Sequence, residues 1–163
     1  MILSFFILLG SETYSQELEN SSSEVERQLA IALAKAKEPL HQFELNYLEN
    51  LKKAQKEAQE NGRLEEVLAV QKERSDYNEP GDRDFAKFPG LQRLRGIYED
   101  NYPGLQNEVS LQISEVYRRF LPMLEAEIRE LTRNGNLDMA LALSRRKDEI
   151  TLEMARLEKE LST

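Results

Sequence analysis

Cysteine is absent from the 163 residues, which excludes disulfides, thiol chemistry and lipid attachment at a thiol. Tryptophan is absent too, and aromatic residues make up only 7% of the chain. Such a composition does not build a thick core around large side chains. It suits thin helix-on-helix seams, in which each helix buries one stripe and keeps the rest wet. Basic residues are the scarcer charge, 22 Lys and Arg against 30 Asp and Glu, for a formal net charge of −8. That balance argues against a nucleic-acid binder, because neutralising phosphates takes clustered cations. The acidity itself serves solubility. Histidine occurs once, at His41. Glu38-Pro39-Leu40-His41 spells the Glu-x-x-His pair of helical di-iron proteins, but that centre needs a second such pair and two further inward carboxylates. Zinc is equally unsupported without more His or Cys. No Gly-rich phosphate loop, Gly-x-Ser-x-Gly elbow or Cys/His dyad occurs. The sequence therefore predicts no catalytic residue, no metal site and no cofactor, and its carboxylates read as solvated helix faces.

Long apolar runs are also missing, with one short exception. Ile2 to Leu9 contains a single polar residue. At eight residues it falls well short of the ~20 needed to span a bilayer, and it suits the apolar region of a secretory signal. Thr13-Tyr14-Ser15 places small residues where a signal peptidase reads them, so residues 1–15 are expected to be a signal peptide cleaved before Gln16. No Lys or Arg precedes the run, so the positive charge of such a signal comes from the amino terminus or from a start further upstream. Residues 16–23 read as a disordered leader, within which Asn20-Ser21-Ser22 fits a glycosylation acceptor. No stable membrane insertion is expected once the signal is removed.

What is present is a duplication. Asn61-Gly62-Arg63-Leu64-Glu65-Glu66-Val67-Leu68-Ala69 matches Asn134-Gly135-Asn136-Leu137-Asp138-Met139-Ala140-Leu141-Ala142 at five of nine positions, with an offset of 73 residues. The same offset carries an apolar stripe. In the first half this is Val25, Leu29, Ala32, Ala36, Leu40, Phe43, Tyr47, Leu51, Ala54 and Ala58, spaced 4-3-4. In the second half the stripe is Tyr98, Tyr102, Leu105, Val109, Ile113, Val116, Phe120, Leu124, Glu127 and Leu131, of which only Glu127 is polar; Ile128 stands beside it. An eleven-residue period is about 3.67 residues per turn, close to the natural ~3.6, so the stripe barely drifts around its helix.

The repeat unit reads as a long helix, a turn and a shorter helix. Asn61-Gly62 and Asn134-Gly135 are the predicted turn residues, since glycine enters the left-handed conformation at no steric cost and Asn tolerates it next best. A two-residue turn makes the flanking helices antiparallel. Asn136 is expected to cap the following helix. Helices are predicted near 24–60, 63–77, 91–133 and 136–161. Pro39 and Pro122 should kink their helices, and Pro103-Gly104 is a candidate break. Residues 24–77 then form the first hairpin repeat and 91–161 the second. Residues 78–90 form a linker whose Pro80-Gly81 and Pro89-Gly90 steps preclude helix, and Phe85 and Phe88 should pin it down. The predicted fold class is all-α: two tandem long-helix/short-helix αα-hairpins in an elongated antiparallel bundle. Ile150, Met154, Leu157 and Leu161 extend the last seam, and the N-terminal part of a long helix is the simplest cover for it.

Three segments taken together carry a resemblance: Leu91-x-x-Leu94-Arg95-x-Ile97-Tyr98-Glu99, Leu121-x-x-Leu124-Glu125, and Asn134-Gly135-x-Leu137-Asp138-x-Ala140-Leu141-Ala142. Together they resemble helical-hairpin segments of uncharacterised exported proteins of planctomycete-type bacteria. The resemblance implies export and no catalysis, and it supplies no functional residues. The Gly-x-Leu-x-x-Ala-Leu stretch also resembles the turn-and-helix of tetratricopeptide-type repeats, but a 73-residue unit is too long for those and their aromatic positions are missing.

The function expected from these features is a non-enzymatic exported scaffold or protein-interaction protein, in the periplasm or secreted, with a protein partner or a second copy of itself. A periplasmic holdase-type chaperone with helical arms is the alternative. Its size and signal fit, while the acidic charge departs from the basic chaperones of that kind.

Overall fold

The computed structural model describes residues 23–79 and 85–162; the expected signal, its cleavage point and the Asn20 acceptor lie outside them. Four helices and no strand occur among the described residues: α1 (Glu24–Glu60), α2 (Leu64–Asp76), α3 (Pro89–Arg133) and α4 (Leu137–Leu161).

α1 starts on a reciprocal cap. The Glu26 amide donates to Ser23 Oγ and the Ser23 amide to Glu26 Oε2, each at 3.1 Å, which satisfies two otherwise orphaned donors. Ser23 is thus a buried N-cap and not part of a disordered leader. The helix then runs through Pro39 without interruption.

Both long helices end in the same main-chain motif. The Gly62 amide donates to Gln59 O at 3.0 Å and the Arg63 amide to Ala58 O at 2.9 Å; Gly135 donates to Thr132 O at 3.2 Å and Asn136 to Leu131 O at 2.9 Å. This pair of bonds is the Schellman closure, and it requires a left-handed residue. The φ values are +68° at Gly62 and +76° at Gly135, and no other described residue has positive φ. The expected Asn136 side-chain cap is not made. The Asn136 backbone stands at φ −81° and ψ 63°, outside the extended conformation from which a cap residue's side chain reaches the first free amides of its helix.

One further expectation is corrected, and the alternative left open at Pro103 is decided. Pro89 and Gly90 belong to the first turn of α3, not to a linker, because a proline at the first helical position lacks only a donor that would be unpaired anyway. Pro103 does not break its helix: α3 is continuous over 45 residues. Tyr98 is buried on one side of the proline, and Tyr102 packs against the same core cluster. Burying aromatics of this size, at ~25 cal/mol per Å² of apolar surface, offsets the ~3 kcal/mol cost of an interior proline.

The described residues sort into two compact units that cut across the repeats expected at 24–77 and 91–161. One unit is Ala36–Ile113, and it contains the end of α1, all of α2 and the start of α3. Its core cluster is Tyr47, Leu51, Val70, Leu91 and Tyr98, with Phe85 and Phe88 packed against it. The second unit takes its residues from Met1–Lys35 and Ser114–Thr163, which means the start of α1, the end of α3 and all of α4. Leu29, Tyr117, Phe120, Leu124, Leu143 and Ile150 are buried there. In each unit a helix end meets two other helical segments, so α3 buries Ser114 and Tyr117 as well as its stripe. All twenty stripe positions are buried or half-buried.

Candidate functional site

The densest polar arrangement lies inside the unit Ala36–Ile113. On α2, Val67, Val70 and Glu73 follow one another at three-residue spacing, so Glu73 occupies an apolar register position and is only 1% exposed. Its carboxylate is satisfied from both neighbouring helices. Tyr47 on α1 donates its hydroxyl to Glu73 Oε1 at 2.7 Å, and Arg95 on α3 donates to the same oxygen at 3.0 Å. Arg95 also donates to the Tyr77 carbonyl at 2.8 Å and to Glu99 Oε1 at 2.6 Å. A buried charge needs this degree of pairing, because desolvation costs several kcal/mol per ion.

Aromatic rings close over the pair. Tyr47 and Tyr98 lie 4.4 Å apart between ring centroids, Tyr98 and Tyr102 stack at 4.9 Å, and Tyr77 meets Tyr98 edge-on at 5.8 Å. The Arg95 guanidinium sits 5.4 Å from the Tyr98 centroid, within cation–π range. The Tyr98 hydroxyl donates to Asn78 Oδ1 at 3.1 Å. A cleft of about 250 Å³ opens beside this group, lined among others by Tyr77, Asn78, Tyr102 and Pro103.

The electrostatics do not prepare these groups for acid–base work. Burial raises the phenols of Tyr47, Tyr98, Tyr102 and Tyr117 above their ordinary value, and neighbouring carboxylates push the same way, Glu73 on Tyr47 and Glu153 on Tyr117. Each phenol stays protonated at neutral pH, and those of Tyr47, Tyr98 and Tyr117 donate to Glu73, Asn78 and Glu153. Burial pulls Arg95 down, but its hydrogen bond to Glu99 and the charge of Glu73 outweigh that and leave it above its ordinary value. The arrangement is chemically a clamp that ties three helical segments together.

The second unit has a simpler counterpart. Tyr117 on α3 donates to Glu153 Oε2 on α4 at 2.7 Å. Arg118 pairs with Glu158 at 2.6 Å and Lys147 with Glu125 at 3.6 Å. From Arg118–Glu158 to Glu125–Lys147 the residue number rises along α3 and falls along α4, so this pair of helices is antiparallel.

Of the residues singled out in the sequence, Asn61, Gly62, Asn134 and Gly135 occupy the two exposed turns, and His41 is exposed on α1. No group of three or more His, Asp or Glu side chains among the described residues forms a metal-holding cluster. Glu73 is the residue that sequence reasoning missed. Outside the stripe position Glu127, the carboxylates are expected on solvated faces, and Glu73 corrects that expectation. The signal was its place in the Val67-Val70-Glu73 spacing.

The surface carries two more features. A groove of about 1040 Å³ runs between the first turns of α2 and α3, lined by Lys53, Glu57, Arg63 and Glu66 with Phe88 and Leu94. Large apolar side chains also stand exposed at matched positions: Leu64 (69%) and Leu68 (55%) on α2, Leu137 (63%) and Leu141 (53%) on α4. Each pair is spaced i, i+4 on one helix face. No described helix is long and apolar enough to cross a membrane. No family model, curated protein or solved structure matches the chain.

Proposed function

We propose that this chain is a non-enzymatic, exported helical scaffold that docks a protein partner through the faces carrying Leu64 with Leu68 and Leu137 with Leu141. The observation behind this reading is the repetition of those exposed leucines 73 residues apart. Single exposed leucines need no explanation. A pair that recurs in the same register of both copies is different, because Val67 and Val70 in one copy and Ala140 and Leu143 in the other already fill the core. Aliphatic anchors one helical turn apart fit helix-in-groove recognition of a protein surface. The Ile2–Leu9 run supports the exported setting, and the clamp chemistry around Glu73 supports a structural protein over a catalyst.

The architecture proposed for the scaffold is two tandem αα-hairpins in one elongated antiparallel bundle. The duplication, the paired turns and the antiparallel contacts of α3 with α4 support it. Small-angle scattering that returned a compact, near-spherical particle would oppose it.

The docking test is affinity capture from an envelope extract with the wild-type chain and with the Leu64→Lys/Leu68→Lys and Leu137→Lys/Leu141→Lys double variants. A small defined set of partners, lost in the variants, supports the scaffold; this chain itself as the captured protein would make the partner a second copy. Broad capture of unfolded clients would favour the holdase alternative. Equal capture by wild type and both variants would overturn the proposed faces.

A further inference from the structure

We propose that Asn134, unlike its counterpart Asn61, is a site of spontaneous covalent modification, converting through a cyclic imide to aspartate and isoaspartate. Both asparagines precede glycine, which has no side chain to hinder approach of its main-chain nitrogen to the asparagine side chain. Both lie in exposed turns of the same geometry, with similar closure by the glycine amide, 3.0 Å to Gln59 O and 3.2 Å to Thr132 O. The difference is in how each side chain is held. Asn61 Nδ2 donates to the Glu57 carbonyl at 2.7 Å, which fixes the amide back along α1 and away from its own glycine. Arg63 braces the same turn through Glu57 and Glu66. Asn134 uses only its main-chain amide, which donates to Glu130 O at 3.0 Å, and makes no side-chain hydrogen bond; Asn136, in the place of Arg63, makes no side-chain cap. The second turn is therefore held by main-chain bonds alone, and its asparagine is free to rotate into the reactive conformer.

The step is self-contained apart from water. The Gly135 nitrogen gives its proton to solvent and attacks Asn134 Cγ. A carbon–nitrogen bond forms, the Cγ–Nδ2 bond breaks, and ammonia leaves with a proton from water. Water then opens the five-membered ring. Attack at Cγ restores the normal peptide link with an aspartate side chain. Attack at the main-chain carbonyl moves the link to the side chain and leaves isoaspartate. Either product adds one negative charge at the C-terminal end of α3, where the helix dipole disfavours it, and the second also adds a methylene to a turn whose hydrogen bonds allow little slack.

The test is incubation of the full chain, folded and separately in denaturant, in mildly alkaline buffer, with peptide mapping by mass spectrometry and enzymatic detection of isoaspartate. The folded protein should convert Asn134 several-fold faster than Asn61, while the denatured chain converts the two at similar rates. Asn134→Gln should abolish the reaction there and leave the rate at Asn61 unchanged. The modified fraction, separated by charge, should melt at lower temperature than the unmodified protein. Equal rates in the folded protein, faster conversion at Asn61, or no conversion at Asn134 while the denatured chain reacts would each overturn the proposal.

Discussion

The Tyr47 hydroxyl reaches from α1 to Glu73 Oε1 on α2 at 2.7 Å, and Arg95 meets the same oxygen from α3. Three helical segments thus converge on one buried carboxylate. Removing one member of such a set leaves an uncompensated charge, which costs far more than the intact set contributes.

Glu73→Ala should therefore destabilise the protein by roughly 3–5 kcal/mol, and Tyr47→Phe, which removes one hydrogen bond to a charged acceptor, by roughly 1.5–3 kcal/mol. The paired change Glu73→Leu/Arg95→Met should recover most of the loss, because it removes both charges at once. Urea unfolding of the four proteins reads these differences. A double variant as unstable as Glu73→Ala would mean that the ion pair is a net stabiliser.

The glycines should divide into two classes. At Gly62 and Gly135 nothing stands within 4 Å of an added Cβ, so only the positive φ resists substitution. Valine there should cost roughly 1–3 kcal/mol. Gly104 is equally open but lies inside α3 without positive φ. Gly104→Ala should stabilise by roughly 0.5–1 kcal/mol. Thermal melts of the three variants check the contrast in sign.

The alkaline limb of stability follows from the raised phenols of Tyr47, Tyr98 and Tyr117. In the unfolded chain each ionises near pH ~10, and in the folded protein only at higher pH. Above ~10 the unfolded state therefore binds fewer protons than the folded one, and stability falls as pH rises. Below that value these groups leave stability flat. A spectrophotometric titration should show phenolate from the buried tyrosines appearing together with loss of helix. Ionisation of all six tyrosines as one ordinary group, with helix retained, would contradict this.

Truncation after Leu143 removes Ile150, which is fully buried in the unit that also buries Leu29, and takes away the Tyr117–Glu153 and Arg118–Glu158 contacts. Loss of a buried Ile side chain alone costs about 2–5 kcal/mol. Circular dichroism and light scattering should report a large loss of helix or aggregation. A truncated chain that stays soluble, monomeric and helical up to Leu143 would show that α4's extension covers nothing essential.

Much of the local structure was legible because it follows from periodicity and glycine chemistry. The spacing of Val25 through Ala58 placed α1 at 24–60, the span the structure shows. The 73-residue offset pointed to Leu51 and Leu124 as equivalents, and both are fully buried. Ser23-Glu24-Val25-Glu26 is a capping box in plain sequence, and it makes Ser23 the start of α1 and not the end of a leader. Whether Pro103 breaks or only kinks its helix is not legible in the sequence: the cost of a proline is local, whereas the burial of Tyr98 that offsets it depends on which helices surround it.

The sequence by itself determined the helices, their apolar faces and the two chain reversals, because these depend on residues within a few turns of one another. Tertiary structure alone decided that Glu73 would be a buried partner of Tyr47 and Arg95 and not one more solvated carboxylate, and that the compact units would cut across the repeats. Those outcomes depend on side chains 22 and 26 residues away from Glu73. A periodic pattern says which face a helix buries. It does not say which neighbour supplies the charge that makes burial tolerable.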